Sequence, residues 1–252
     1  MRATEVPVSS ATVAQLVQEI GHPGSSVARI AQVVSADQGL AARVLALANS
    51  AAYGLARQVT AVDQAVALVG SNMVQTLAVA GAMRLLDGAD GLPHARFHAL
   101  QVACAARALA GRAGLNKSDA FAAGLLHDVG EILLWQRDPA AYAAAHATWP
   151  DAEAQLRGER AMFGTDHALA AREQLAGWHL PGAIVDAAAD HHRPDVPFRD
   201  LSTAVIAAEE LLDADVGWTP RVGVFDLEPD DAAVVRLEVS VQVAELTGLL
   251  LV

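Results

Sequence analysis

Histidines are the side chains in this sequence with the clearest capacity for chemistry, and most of them lie in one part of it. The chain has nine histidines, and seven of these fall between His98 and His192. His127 is followed directly by Asp128 in an apolar stretch, and His191 is followed by His192. Imidazoles and carboxylates together are ligands of zinc, iron and manganese in proteins. The pattern therefore points to a divalent-metal site.

Seven residues form the candidate set of metal ligands, because they place imidazoles and carboxylates on successive predicted helices. They are His98, His127, Asp128, His167, His191, His192 and Glu209. One ion held by such groups can activate water for hydrolysis of a phosphate ester, and two ions can do so better. The sequence does not assign a catalytic acid or base among them.

Each of these residues also has a simpler interpretation. A single histidine is more often a surface or satisfied core residue than a ligand. Asp128 could end a helix beside Gly130 or pair with Arg137, and either Glu209 or Glu210 could face solvent. The combination is more specific, because a polar group in apolar surroundings is costly to bury without a partner. Four histidines are interpreted as structural or surface residues: His22, His94, His146 and His179.

A series of helices is predicted to carry the candidate ligands, because apolar residues recur at helical spacing through most of the chain. The first helix is predicted over Ser10–Ile20, and Asp37 and Thr60 are predicted N-caps of later helices. The His-Asp pair falls inside a helix predicted from Ser118 to Gln136. The last helix is predicted to end just before Gly248.

Composition narrows the class of protein. Hydrophobic residues make up 53% of the 252 residues and charged residues 18%, which favours a folded core. Abundant alanine favours helix. The formal net charge of -12 repels phosphate backbones, so no nucleic-acid partner is predicted. Cys104 is the single cysteine, so no internal disulfide can form; we interpret it as a core residue in a reducing compartment.

Targeting and membrane segments are not predicted. The N-terminus lacks a basic region followed by an apolar one, the pattern of a signal peptide. No apolar run reaches about 18 residues without a charge, the length that a membrane span needs. We therefore expect a cytoplasmic protein without a membrane partner.

Several segments, taken in order, carry a family resemblance. Residues 48–54 have the sequence Ala-Asn-Ser-Ala-Ala-Tyr-Gly, and residues 124–130 have Gly-Leu-Leu-His-Asp-Val-Gly. Further matching segments are 60–70, 159–167, 178–181 and 191–194. In combination they resemble the HDOD family of the HD phosphohydrolase superfamily, over residues 10–215. The first segment separates HDOD proteins from ordinary HD hydrolases. Its Asn49 and Ser50 are interpreted as satisfying backbone groups at a helix end.

The resemblance implies an all-α fold of two helical lobes, the second an HD-like helical core. The N-terminal lobe would cover residues 1–90 and the HD-like lobe 91–215, with the turn-rich segment Asp87–Pro93 at their boundary. Residues 216–252 would form a C-terminal extension, in which Arg221–Leu227 is predicted to be extended. The implied function is bacterial signal transduction through a protein partner, with a divalent metal (Fe, Mn, Zn or Mg) as the candidate cofactor. Homo-oligomers are compatible with this role.

Three departures from the hydrolase pattern favour a regulator over an enzyme. Glu131 stands where HD hydrolases usually carry a lysine, and an anion there would repel a phosphate that a cation would neutralise. Glu209 stands where the final acid is usually Asp. Arg193 follows the histidine pair in place of a Gly-Tyr-Pro signature. The alternative is a metal-dependent phosphohydrolase of a nucleotide or cyclic nucleotide, in which Arg193 would contact phosphate. A helical protein with purely structural histidines ranks last.

Overall fold

The secondary structure of the protein is helical throughout the part that the computed structural model describes. That part comprises residues 8–83, 85, 95–193, 200–213, 225 and 229–250. No strand occurs in these ranges, so the predicted all-α class is confirmed. The chain forms two compact units, one of residues 1–101 with 237–252 and the other of residues 102–236.

The helices follow one another with short connections. The first five, with one 3-10 helix, are α1 (Ser10–Ile20), α2 (Val27–Ala36), α3 (Gln38–Ala48), the 3-10 helix (Ala51–Tyr53), α4 (Val62–Val69) and α5 (Ser71–Ala82). The others are α6 (Ala95–Ala113), α7 (Lys117–Leu126), α8 (Val129–Arg137), α9 (Pro139–His146), α10 (Ala152–Phe163), α11 (His167–Gly177), α12 (Gly182–Asp190), α13 (Leu201–Asp213) and α14 (Pro229–Leu250). Helices α6 and α14 contribute residues to both units.

Side-chain caps determine where the first helices begin. Helix α1 has the predicted bounds, and Asp37 caps α3 as predicted, because its Oδ1 accepts the backbone N–H of Leu40 at 3.0 Å. Its other oxygen accepts the N–H of Ser9 and the hydroxyl of Thr12. The Asp37 carboxylate therefore caps α3 and also bonds the first residues of α1.

Asn49 and Ser50 satisfy backbone groups at the end of α3, as the sequence predicts. The Asn49 side chain donates to the carbonyl oxygens of Leu45 and Val59 at 2.9 and 2.8 Å, and accepts the N–H of Val59 at 2.7 Å. The Ser50 hydroxyl donates to the Leu47 carbonyl at 2.8 Å. This clamp explains one wrong prediction. The backbone bound through Val59 stays extended as far as residue 61, so Ala61 and not Thr60 precedes α4.

The C-terminal helix is longer than predicted. Helix α14 runs through Gly248 to Leu250, so the prediction that it ends before Gly248 is wrong. Val243, Leu246 and Leu250 are buried on one face, and this burial holds the last turns helical beyond the glycine. The predicted extended segment Arg221–Leu227 lies, apart from Phe225, outside the described residues.

Close helix contacts at two glycines build the core of the second unit. A Cβ on Gly124 of α7 would lie 2.8 Å from the Ala103 Cα of α6. A Cβ on Gly130 of α8 would lie 2.6 Å from the His167 carbonyl carbon at the start of α11. Helix α11 also packs against α12, and α12 and α13 pack against α7. Only glycine permits these approaches, and the second one places the first turn of α8 against the start of α11.

The predicted helix from Ser118 to Gln136 is wrong, because the chain breaks at its centre into α7 and α8. The His127 ring nitrogen Nδ1 lies 2.8 Å from the carbonyl oxygen of Gly124. In a continuous helix that carbonyl would accept the N–H of residue 128. The side chain thus bonds this carbonyl where α7 ends, and the chain turns at His127 and Asp128 before α8 begins.

The predicted boundary segment Asp87–Pro93 lies outside the described residues, so the division at residues 90 and 215 stays a prediction. Within the described ranges, no single helix combines the length and the apolar character needed to cross a membrane. The bent pair of α4 and α5, which meet at 104°, meets those two measures only when taken together.

Candidate metal centre

Asp128 stands at the centre of the candidate site, in the break between α7 and α8. It occupies the position before the first residue of α8, and its side chain makes no capping bond to that helix. The sequence left two simpler interpretations of Asp128, a helix end beside Gly130 and a pair with Arg137. The residue does mark a helix boundary, but the Arg137 guanidinium donates to the Phe163 carbonyl at 3.3 Å.

Three buried imidazoles point their Nε2 atoms at this carboxylate. The Nε2 of His127 lies 3.0 Å from Asp128 Oδ2, and the Nε2 of His191 lies 3.2 Å from Oδ1. The Nε2 of His167 is 3.8 Å from Oδ1. All three imidazole side chains are fully buried, while the Asp128 side chain is 15% exposed. The carboxylate is therefore the part of this group that opens toward solvent.

The opposite nitrogen of each ring is held by a fixed acceptor. Nδ1 of His127 meets the Gly124 carbonyl at 2.8 Å, and Nδ1 of His191 meets the Ala188 carbonyl at 2.9 Å. A carbonyl can only accept, so these Nδ1 atoms carry the proton. In a neutral ring, the lone pair of Nε2 then faces a carboxylate that is also an acceptor.

This arrangement of acceptors fits a cation. Nε2 of His191 is buried and has no hydrogen-bond partner among the described residues. Buried polar atoms normally have partners, and two facing acceptors repel each other. A metal ion between Nε2 and the carboxylate would satisfy both. Metal-bound histidines commonly donate their other N–H to a carbonyl or carboxylate, as these rings do.

Further donors extend the cluster into two overlapping groups. The ligand atoms of Asp128, His167, His191 and His192 lie within 4.8 Å of one another. Those of His127, Asp128 and Glu209 meet the same limit, with Glu209 Oε1 3.3 Å from His127 Nε2. The sequence left Glu209 and Glu210 as alternatives, and it is Glu209 that faces the cluster. Asp128 belongs to both groups.

Without a metal, protons take the place of the cation. Burial alone would lower the pKa of His127, but the negative charges of Asp128 and Glu209 hold it well above its ordinary value. Burial likewise opposes the rise in the pKa of His167 to about 9, which comes from its bond to Glu159 and the charge of Asp128. Burial raises the pKa of Asp128, but His127 and His191 outweigh it and hold that pKa well below its usual range. The cluster thus favours positive charge around Asp128.

A polar network lies behind His167 and includes residues that the sequence did not predict as part of the site. Glu159 on α10 accepts from His167, and also from the Tyr142 hydroxyl at 2.8 Å and the Gln155 amide at 3.1 Å. The same amide nitrogen donates to Glu131. Burial, and then the charge of Asp128, raise the pKa of Glu131 to about 7. The available signal was the spacing of Gln155 and Glu159, four residues apart and so on one face of α10.

The remaining residues singled out in the sequence are distributed over both units. His98 lies on α6 in the stretch that belongs to the first unit, so the second unit alone contains six of the seven candidate ligands. Arg193 follows the histidine pair, is exposed, and pairs with Asp190 at 3.3 Å. Four histidines were interpreted as structural or surface residues. His22 accepts the N–H of Gly24, and His146 lies 3.8 Å from Glu131. His179 has a positive φ of 53°, and His94 lies outside the described residues.

Comparison with known proteins identifies the family. The family model of the HDOD domain matches residues 6–194. The chain belongs to the HDOD family. The resemblance seen in the sequence is thereby confirmed. Asp128 and the four histidines around it lie in the matched part of the chain, and Glu209 lies beyond it.

Two solved structures resemble this HDOD chain over nearly its whole length. A protein from Shewanella amazonensis, named as a candidate phosphohydrolase, is 25% identical with a TM-score of 0.73, covering 98% of this chain and 96% of that one. The MmoQ response regulator from Methylococcus capsulatus is 27% identical with a TM-score of 0.51, covering 92% of this chain and 98% of that one. The HDOD chain is therefore similar both to a protein named for hydrolysis and to one named for signalling.

An uncharacterized protein from Treponema pallidum is 25% identical to the HDOD chain over 235 residues. The match covers 87% of this chain and 44% of that relative, so the chain spans less than half of the relative's length.

Proposed function

We propose that this HDOD protein is a signalling module that binds a divalent metal at Asp128 and acts on a protein partner rather than by turnover of a substrate. The proposed ligands are His98, His127, Asp128, His167, His191, His192 and Glu209. The observation that carries the proposal is the set of three buried imidazoles, each braced at Nδ1 and aimed at one carboxylate by Nε2. The similarity to a response regulator supports the signalling role.

The donor set matches transition metals better than hard cations. Imidazole nitrogen with carboxylate oxygen suits iron, manganese and zinc, whereas magnesium prefers oxygen ligands and water. His98 is included because the family resemblance gives it the place of the first histidine in the ligand pattern. A bound ion would supply Lewis acidity and positive charge. The protein's own residues hold the rings in one tautomer and shield them from water.

Glu131 supports regulation over catalysis. It occupies the position that the resemblance assigns to a lysine in HD hydrolases, three residues after Asp128. Its side chain is nearly buried and accepts from Gln155, so it lies inside the polar network behind His167. A carboxyl group cannot provide the positive charge that stabilises a phosphoryl transition state. We therefore expect slow hydrolysis or none.

Metal content of the purified protein tests the proposal. We expect iron, manganese or zinc close to stoichiometry by inductively coupled plasma mass spectrometry, and loss of that metal in the His127→Ala, Asp128→Ala double variant. His22→Ala is the matched control, because it removes an exposed imidazole that lies outside both ligand groups and accepts the N–H of Gly24. Absence of metal from the wild-type protein, even after dialysis against each ion, would overturn the metal-binding proposal.

The second candidate is a metal-dependent phosphohydrolase of a nucleotide or cyclic nucleotide. The observation that favours it is the sharing of Asp128 between two ligand groups, which suits a pair of ions acting on one phosphate ester. A screen of nucleotides and cyclic dinucleotides with Mn, Fe and Mg distinguishes the candidates. Turnover that Asp128→Asn abolishes, and whose KM rises in Arg193→Ala, would establish the hydrolase. Metal binding without turnover would leave the regulator, whose partner could then be sought with metal-loaded and metal-free protein.

A further inference from the structure

The Glu159 carboxylate is fully buried in α10, and its contacts with His167 are unusually complete. Its Oε2 accepts both the backbone N–H of His167 at 2.8 Å and the ring Nδ1–H at 2.7 Å. Its Oε1 accepts the Tyr142 hydroxyl at 2.8 Å and the Gln155 amide at 3.1 Å. Four donors therefore hold one carboxylate, two of them from the residue that faces Asp128.

These bonds determine the state of the His167 ring. A carboxylate that already receives three other donors is held in its charged form, and it then accepts the proton of Nδ1. The ring cannot rotate without losing this bond inside a buried site. Its Nε2 is consequently directed at Asp128 Oδ1, 3.8 Å away, and at His192 Nε2, 2.9 Å away.

His167 differs in this respect from the other two imidazoles that face Asp128. His127 and His191 are braced by the neutral carbonyl groups of Gly124 and Ala188. Only His167, among these three, is braced by a full negative charge. An anionic acceptor at Nδ1 makes Nε2 a more basic and stronger metal ligand than a neutral acceptor does.

We propose that Glu159 is the positioning residue of this centre: it fixes the tautomer and orientation of His167 and strengthens it as a ligand, while Tyr142 and Gln155 hold Glu159 in place. This inference rests on the proposed metal-binding function. It assigns a role to a residue that does not itself face Asp128.

The test compares Glu159→Gln with Glu153→Gln. Both variants replace a carboxylate of α10 with the amide of the same shape, but Glu153 is exposed and pairs with Arg157 at the protein surface. Zinc affinity, measured by competition with a chromophoric chelator, should fall about 10- to 100-fold in Glu159→Gln. It should change by less than about twofold in Glu153→Gln, because an exposed ion pair contributes little. Equal affinity in the two variants would overturn the inference while leaving metal binding intact.

A metal-free measurement separates this inference from the proposed function. Long-range ¹H–¹⁵N spectra of the histidine rings report which nitrogen carries the proton. We expect His167 to show a protonated Nδ1 in the wild type and an altered signal in Glu159→Gln, with the His191 signal unchanged. If the wild type binds no metal, the proposed function fails, and an unaltered His167 signal would then refute the positioning role as well.

A milder substitution tests the inference if Glu159→Gln does not fold. If circular dichroism shows that Glu159→Gln is unfolded, Tyr142→Phe removes one donor to Oε1 and leaves both bonds from His167. A smaller loss of zinc affinity, of about threefold, is then expected from a less firmly held carboxylate. No loss in this variant, with an unshifted His167 signal, would contradict the role given to Tyr142 and Glu159.

Discussion

Replacement of Gly130 by alanine should lower both the free energy of unfolding and the affinity for metal. A Cβ at this position would lie 2.6 Å from the carbonyl carbon of His167 and closer still to its oxygen. Ordinary carbon contacts are about 3.5 Å or longer. Because the oxygen is the closer atom, helices α8 and α11 must separate by roughly 1.5 Å to restore ordinary contacts, and neither contact atom belongs to a flexible side chain.

The expected cost follows from this overlap. Overpacking in a core typically costs about 1–3 kcal/mol, and backbone-to-backbone overlap belongs at the upper end of that range. Alanine gains up to about 1 kcal/mol over glycine in a helix, which offsets only part of the cost. We expect Gly130→Ala to lower the free energy of unfolding by about 2 kcal/mol. Zinc affinity should fall at least tenfold, because metal ligands need placement to within about 0.5 Å.

Urea denaturation followed by circular dichroism measures the stability, and chelator competition measures the affinity. Gly177→Ala is the matched control, because it lies on α11 with no atom within 4 Å of its added Cβ. This control should be as stable as the wild type or more stable by up to about 1 kcal/mol. The reasoning would be refuted if Gly130→Ala proved as stable as Gly177→Ala and bound zinc equally well.

Two other perturbations test the surroundings of the site and the first unit. The pKa of Glu131 is raised from 4.5 to about 7 in the folded protein, so ionisation of this carboxyl group lowers the free energy of unfolding. The wild type should therefore lose stability relative to Glu131→Gln as the pH rises from about 4.5 to about 7. The loss should be at most about 3 kcal/mol, with no further loss above about pH 7. Denaturant midpoints across that pH range measure this difference, and a pH-independent difference between the two proteins would contradict the assigned burial of the Glu131 charge. Asn49→Ala removes three hydrogen bonds to the Leu45 and Val59 backbone and should cost about 2 kcal/mol in thermal or urea unfolding; a change below about 0.5 kcal/mol would mean that water replaces the clamp.

Local capping chemistry explains why much of the fold could be predicted. Ser9 begins α1 and Asp37 begins α3, because a short polar side chain can accept an N–H of the first helical turn. The predictions failed where distant contacts decide the outcome. The extended backbone before α4 depends on Asn49, twelve residues before Ala61. The break in the predicted helix at His127 accompanies the close approach of α8 to the start of α11 at Gly130.

The candidate site could be predicted only in part, for a related reason. Residue type identifies His127, Asp128 and His191 as metal-binding groups. It does not show that the acceptors behind two of the rings are backbone carbonyls, which every residue possesses. Nor does it distinguish the buried Glu159 from the exposed Glu153 on the same helix. These distinctions arise from the packing of helices that are far apart in the sequence.

The cluster is a meeting point of helix ends, and this has a consequence for dynamics. His127 and His191 are the residues that directly follow α7 and α12, while α8 and α11 begin beside Asp128 and at His167. End turns are the parts of helices that open first, because their backbone groups lack a full set of intrahelical bonds. An ion bound by these four residues would stabilise the terminal turns of four helices at once. Amide hydrogen exchange at these four places in the sequence would therefore be slower in the metal-bound protein than in the metal-free protein.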